Sequence, residues 1–260
     1  MAINEPESRY RQLADLLREK INSGEYPRGT RMPSEPELAK RYNVGQATAN
    51  RAMSILRAEG LVRAERGKGT IVHEIPPIPR ESIRRYGRAE RELGESRGAY
   101  DTEIRRLGYE PGVEMLELGM AAAPPRVAEL LQVPQGGETV LIRKRKMLAN
   151  NIATQIAVSY FPREIAEGTQ LEQVDTGIGG SKSRLAELGF EQVNARESIT
   201  VRRSTSEEQA LLRLTEDQSV MEILHVARTE EGRAVEVTIH TMPTHQWVLN
   251  YEWVSDAPSK

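Results

Sequence analysis

Arginines at Arg143 and Arg145 sit two residues apart in the segment Leu141–Met147. On a strand such residues point to one face, so the pair shares that face with Leu141 and Met147. Two guanidinium groups beside apolar neighbours can clamp a phosphate or carboxylate through forked hydrogen bonds. Lys144 and Lys146 charge the opposite face as well, so periodicity leaves open which face is buried. Gly177-Ile178-Gly179-Gly180-Ser181 is a second place where an anion could be held, because backbone N–H groups at a helix start are free to bind one. It could equally be a flexible loop, and it is not a nucleotide-binding P-loop: Ser181 interrupts the Gly-Lys-Ser run that motif requires. Nearer the N-terminus, Gln46, Ala47, Asn50, Arg51 and Ser54 fall on one side of a helical wheel. Asn and Gln match adenine edges and Arg matches guanine, which is the chemistry of a base-reading helix.

The remaining chemistry-bearing residues point away from catalysis and metal binding. His225, His240 and His245 fall on or just after strands, without the i, i+4 spacing of helical metal ligands. They read as structural polar groups or exposed rings, with His225 and His240 placed to face each other across a hairpin. Glu222 and Glu236 could be read as an acid–base pair, but no nucleophile, metal motif or cofactor motif accompanies them; Glu222 reads as surface charge. The chain has no cysteine, which removes disulfides, thiolate zinc sites and cysteine nucleophiles. No cofactor is expected.

These residues need elements to hold them. Ser34 followed by Glu37 is a capping box, predicting a helix from there to about Tyr42. A second helix starts near Gln46, with Ala49, Ala52, Met53 and Leu56 at the spacing of a buried face, and ends at Gly60. Leu61–Ala64 and Thr70–His73 should pair across a glycine-tipped turn that presents Lys68, forming a wing. Upstream, residues 1–8 read as a disordered lead. Tyr10, Leu13, Leu17 and Ile21 mark a helix over about Arg9–Asn22, and Thr30-Arg31-Met32 can add a short strand. This is a winged helix-turn-helix.

The stretch closely resembles the DNA-binding domain of GntR-type bacterial regulators. The resemblance rests on Pro33-Ser34-Glu35, Glu37-Leu38-Ala39, Val44, Thr48, Glu59-Gly60-Leu61-Val62 and Gly67-Lys68-Gly69-Thr70. With the outward helix face and the wing tip, the expected DNA contacts are Ser34, Gln46, Ala47, Thr48, Asn50, Arg51, Lys68, Gly69 and Thr70. Pro36, Gly45-Gln46 and Ala49-Asn50 depart from the family pattern, so the family's base-contacting arginines are not carried over.

A length of 260 residues allows two cores. Residues 1–106 hold 21 Lys and Arg against 16 Asp and Glu, whereas residues 107–260 hold 15 against 22. A basic front and acidic back suit a DNA-facing head on a DNA-avoiding body. No run approaches the length of a membrane span and no leader pattern is seen, so no membrane partner is expected and the cytoplasm is the expected location. The modest positive charge of the front favours a homodimer that doubles the phosphate contacts.

Ile75-Pro76-Pro77-Ile78-Pro79 reads as a stiff spacer. Residues 80–106 alternate in charge and read as a solvated helix or ordered linker, the other reading being that Arg84, Arg85 and Arg88 touch DNA or a partner subunit. Beyond Ala99 the pattern is repeated. Helix Val127–Val133, strand Thr139–Leu148, turn Asn150-Asn151 and strand Ile152–Phe161 form one copy. Helix Glu207–Leu214, strand Ser219–Thr229, turn Glu231-Gly232 and strand Arg233–Met242 form the other, 80 to 81 residues on. Two copies predict a pseudo-symmetric antiparallel sheet with helices on one side and a cleft where the halves meet. The expected architecture is α+β, with a winged helix-turn-helix over residues 1–74, a linker over 75–98 and an antiparallel-sheet domain over 99–260.

The C-terminal half is similar to the UTRA effector domain of the HutC subfamily of GntR regulators, which shares the chorismate lyase fold. The similarity rests on Arg143-Lys144-Arg145, Tyr160-Phe161-Pro162, Ser181 through Glu187 opening a helix, and Glu236. It implies an effector pocket using Arg143, Arg145, Ser181 and Glu236, and a small phosphorylated or carboxylated metabolite. Ala157 and Met242 depart from the subfamily pattern, so a ligand other than an amino sugar is expected. The combined expectation is a dimeric repressor on a near-palindromic double-stranded operator, released by its effector and not an enzyme. A constitutive repressor with a vestigial pocket and a lyase-like enzyme tethered to DNA are the alternatives.

Overall fold

The structure is a computed structural model that describes residues 8–65, 67–81, 85 and 96–252. The chain divides into two compact units, Met1–Ile78 and Pro79–Lys260. Among the described residues, no helix is long and apolar enough to cross a membrane.

The first unit packs three helices, α1 (Arg9–Asn22), α2 (Glu35–Arg41) and α3 (Gln46–Ala58), against the hairpin β1 (Val62–Glu65) and β2 (Gly69–Val72). The apolar stripes of the helices meet in one core containing Leu13, Leu17, Ile21, Leu38, Ala49, Ala52, Met53 and Leu56, closed by Val62 and Val72 from the hairpin. At the start of α2 the Glu37 carboxylate accepts from the Ser34 N–H (2.8 Å) and hydroxyl (2.7 Å), which ties down the helix entry. The wing registers Val62 against Val72 and Glu65 against Gly69. The short strand expected at Thr30–Met32 is a single bridge, Arg31 to Ile71, flanked by Met32 N–H donating to Thr70 O and Val72 N–H to Thr30 O. The expected disordered lead falls on residues 1–7, outside the described residues, and on Ser8, which precedes α1.

The second unit is built on a six-stranded antiparallel sheet in the order β4-β5-β6-β9-β8-β7. Its strands are β4 (Pro111–Ala121), β5 (Val140–Ala149), β6 (Ile152–Pro162), β7 (Asn194–Arg203), β8 (Ser219–Arg228) and β9 (Ala234–Pro243). Helix α5 (Pro125–Leu131) lies between β4 and β5 in sequence, and helix α8 (Ser206–Leu212) between β7 and β8. The repeat is therefore strand-helix-hairpin, and the two halves meet at the β6–β9 pair. Each hairpin even carries a bulge at the same place: Thr154 is passed over between Met147↔Gln155 and Leu148↔Ala153, and Val235 between Ala227↔Glu236 and Arg228↔Ala234.

The structure corrects the sequence expectation at three points. The outer strands β4 and β7 were not expected. Helices cover both faces rather than one: α5 packs on Val140, Ile142, Tyr160 and Val237, while Leu141, Phe161 and Val235 on the opposite face pack against Ile165 and Ala166 of α6 (Arg163–Ala166) and Leu185 of α7 (Gly180–Glu187). The segment after the proline run is not solvated spacer throughout. Ile78–Glu81 is a strand, β3, paired with β10 (Trp247–Asn250). Arg80 is 1% exposed and ion-paired with Glu197, and Arg85 pairs with Glu103 of α4 (Ala99–Arg106) at 2.6 Å with both side chains buried. Arg85 is thus an internal counter-ion; Arg84 and Arg88 lie outside the described residues.

Candidate nucleic-acid interface and effector cavity

Burying Ala49, Ala52, Met53 and Leu56 of α3 turns the other side of that helix to solvent, and Gln46, Ala47, Asn50, Arg51 and Ser54 are exposed there, with Thr48 half-buried. The Arg51 guanidinium lies over the Tyr10 ring, 5.7 Å from its centroid, so α1 steadies its position. In the wing, Lys68 is 70% exposed and reaches back to Glu65 at 2.5 Å. Gly69 has φ +87°, and a Cβ there would meet Arg31 Nε at 3.3 Å. Sequence reasoning did not include Arg31 in the DNA-facing set; its single bridge to the wing strand is what brings it beside the tip. The Ser34 hydroxyl is engaged by Glu37 and serves first as a helix cap.

In the second unit a cavity of about 1030 Å³ opens on one face of the sheet. Its floor carries Arg143 and Arg145 from β5, Gln155, Ala157 and Ser159 from β6, Glu236, Thr238 and His240 from β9, and His225 from β8. Its rim includes Ser96–Gly98, Tyr100, and the start of α7 at Gly179–Lys182. All four sequence-predicted effector residues line it. Ser181 reaches it because two left-handed glycines turn the chain into α7. Gly180, at φ +66°, allows the approach, since a Cβ would lie 2.7 Å from the Arg97 carbonyl oxygen. Gly179 N–H closes the contact on Ser96 O at 2.8 Å.

The two arginines are not equivalent. Arg143 is 2% exposed, and its Nη atoms donate to the carbonyls of Leu171, Gln173 and Val174. It staples a loop beside the cavity that it also lines. Arg145 donates from Nη2 to Ser159 Oγ at 2.8 Å, and the Nε atoms of both arginines are buried without a partner among the described residues. Burial pulls both guanidinium groups below their ordinary range, Arg143 to about 10; in Arg143 the charge of Arg145 adds to the effect, and Glu236 opposes it in both. Glu236 accepts from Thr238 Oγ1 (2.7 Å), Ser159 Oγ (3.3 Å) and Gln192 Nε2 (2.6 Å). Its buried charge is satisfied by a network that sequence spacing did not reveal.

The histidines sit at the other end of the same floor. His225 and His240 are buried with ring centroids 6.5 Å apart. His240 is held neutral: its pKa falls well below the usual value, first by burial and then by Arg85, Arg80 and His225, against Glu197. Among the described residues no cluster of His, Asp or Glu is arranged to hold a metal ion. Glu222 lies elsewhere, paired with Arg202 at 2.8 Å.

A head with an exposed polar recognition helix and a wing, followed by a pseudo-symmetric sheet domain with a polar cavity, defines a one-component DNA-binding regulator. The family model of bacterial regulatory proteins, gntR family, matches residues 9–72, and that of the UTRA domain matches residues 106–246. The chain belongs to the GntR family and carries a UTRA domain: it is a DNA-binding transcriptional regulator with an effector-binding domain. It is 29% identical over 249 residues to the HTH-type transcriptional regulator SCO4628 of Streptomyces coelicolor, covering 94% of this chain and 92% of the relative. It is 30% identical over 229 residues to the regulator RB1450 of Rhizobium meliloti, covering 87% of each. Among solved structures, PhnF from Mycobacterium smegmatis shares the fold with a TM-score of 0.59 at 18% identity, covering 94% of this chain and 100% of that one.

Proposed function

We propose that the chain is a dimeric repressor whose hold on a near-palindromic operator is released by a small organic anion. The observation that carries this reading is Arg145: it lines the cavity, donates to Ser159 Oγ and leaves its Nε buried without a partner among the described residues, in a cavity that the start of α7 also lines. A phosphate or carboxylate there would accept from Nε and add the charge-assisted hydrogen bond the site lacks. Arg145, Ser181 and Glu236 are the effector contacts in this reading, and Arg143 shapes the wall. Gln46, Ala47, Thr48, Asn50 and Arg51 enter the major groove, while Lys68, Gly69 and Thr70 of the wing and the capped entry at Ser34 meet the backbone. Two heads spaced by the dimer read two half-sites. A ligand that fits only one domain arrangement shifts the population toward it.

The test is electrophoretic mobility of DNA from upstream of the chain's own gene, with and without a panel of phosphorylated and carboxylated metabolites. A sequence-specific shift released by one compound supports the reading. A shift that no compound releases refutes the effector half and leaves a constitutive repressor.

A further inference from the structure

The two halves of the sheet place equivalent residues about the β6–β9 seam. Arg145 of β5 corresponds to His225 of β8, 80 residues on, and Gln155 of β6 corresponds to Glu236 of β9, 81 residues on. The cavity floor thus has two related ends built from different chemistry. At one end Glu236 accepts from Thr238, Ser159 and Gln192. At the other, Gln155 is 1% exposed, its Nε2 lies 3.1 Å from His240 Nδ1, and its Oε1 is buried without a partner among the described residues. Turning the amide over does not remove the problem. One amide terminus always faces His240, and the other is left without a partner.

An unpartnered amide terminus inside a polar cavity costs stability unless something pairs with it. Ala157, a small side chain, is the floor residue between Arg145 and His240. Gln155 and Arg145 are diagonal neighbours on adjacent strands, so their backbones are roughly 7–8 Å apart. The charges around this end disfavour a cation: Arg80 and Arg85 both act on His240, and Glu197 is already bound to Arg80.

Resting on the reading of Arg145 as the anion contact, we propose that Gln155 is a specificity-determining residue of the effector site. It selects an organic anion that carries an uncharged hydroxyl or amide N–H about four carbons from its charged end, over one ending in a methyl or an ammonium group. The neutral donor pairs with Gln155 Oε1, while an ammonium meets the arginines behind His240 and a methyl leaves the amide unpaired.

The test is calorimetric titration of the full chain with inorganic phosphate, butyl phosphate, 4-hydroxybutyl phosphate and 4-aminobutyl phosphate. Pentanoate and 5-hydroxypentanoate repeat the comparison on a carboxylate head and separate the two kinds of anion. The wild type should bind the hydroxyl tail about three- to tenfold more tightly than the methyl tail, as for one neutral hydrogen bond, and the ammonium tail most weakly. Gln155→Leu should erase or invert the hydroxyl preference while inorganic phosphate binds as before. A wild type that ranks the tails equally, or a Leu variant that keeps the preference, overturns the proposal but leaves the anion site standing. If no probe binds at all, including inorganic phosphate, the reading of Arg145 falls and this proposal with it. Should the Leu variant fail to fold, the wild-type ranking alone decides.

Discussion

Exchanging each arginine of the β5 pair for methionine separates a wall-building residue from a ligand contact. Methionine keeps the length of the stem and removes the guanidinium. In Arg143→Met the carbonyl of Leu171, a fully buried residue, loses its donor, at a cost of about 1–3 kcal/mol. The carbonyls of Gln173 and Val174 belong to exposed residues and can rehydrate, so they add about 1 kcal/mol or less each. Relief from burying a charge offsets part of this, leaving a net loss of roughly 2–4 kcal/mol. Arg145→Met gives up one side-chain hydrogen bond and relieves a buried cation, so its cost should stay under about 1 kcal/mol. The assay is urea unfolding of the full chain followed by tryptophan fluorescence. Both tryptophans, Trp247 and Trp253, lie in the C-terminal unit. Arg143→Met should lower the urea midpoint by on the order of 1 M, whereas Arg145→Met should leave it nearly unchanged and lose the effector response. If Arg143→Met unfolds at the wild-type midpoint yet no longer responds, Arg143 is a ligand contact and the stapling argument is wrong.

Other perturbations test other parts of the molecule. Gln46→Ala or Asn50→Ala should weaken operator binding by about 1–3 kcal/mol and relax preference at one base pair; binding measured on operator variants that weakens equally everywhere would place these amides on phosphates. His240 is neutral in the fold, so below the unfolded-state pKa near 6.5 only the unfolded chain takes up its proton. Its contribution is flat above that pH and is lost as pH falls through it, by up to about 1.4 kcal/mol per pH unit. His240→Phe should therefore flatten the stability slope between pH 6.5 and 5 in urea titrations, and an unchanged slope would mean the ring titrates normally. Gly180→Ala forces a Cβ against the Arg97 carbonyl at a positive φ, costing roughly 1–2 kcal/mol in backbone conformation alone. It should weaken effector binding in calorimetry while leaving operator affinity intact; unaltered effector binding would detach the α7 entry from the site.

Much of the architecture was legible in the sequence because it is written in local periodicity. The boundaries of α1 and α3, the capped start of α2 and the two central hairpins all follow from spacing and turn residues. Asn150 and Asn151 both adopt positive φ, as the turn required. The outer strands were hidden for a physical reason. β7 is exposed along almost its whole length and β4 is partly exposed throughout, so neither shows the alternation that one buried face imposes. The difference between Arg143 and Arg145 was also illegible. Both share a strand face, and only the fold of residues 171–174 over one of them tells their hydrogen-bond partners apart. The same holds for Arg80 and Glu197, 117 positions apart, and for Gln155, whose orphaned oxygen exists only once His240 is placed beside it.

The duplication also bears on why the proposed anion contact falls in the first half of the sheet. Equivalent positions in the two outer strands are Met115, opposite Arg145, and Glu197, opposite His225. In the second half the outer strand brings a carboxylate beside His225, and β3 brings Arg80 to neutralise it. The result is an internally paired cluster beside a neutral histidine. In the first half the outer strand brings a thioether, which offers Arg145 no charge and at most a weak acceptor. Had this position carried a carboxylate, Arg145 would be paired within the protein and the cavity would have little use for an anion. The asymmetry of a single pair of residues, on a scaffold whose two central hairpins share their bulge, leaves Arg145 without a carboxylate at the position opposite it in β4.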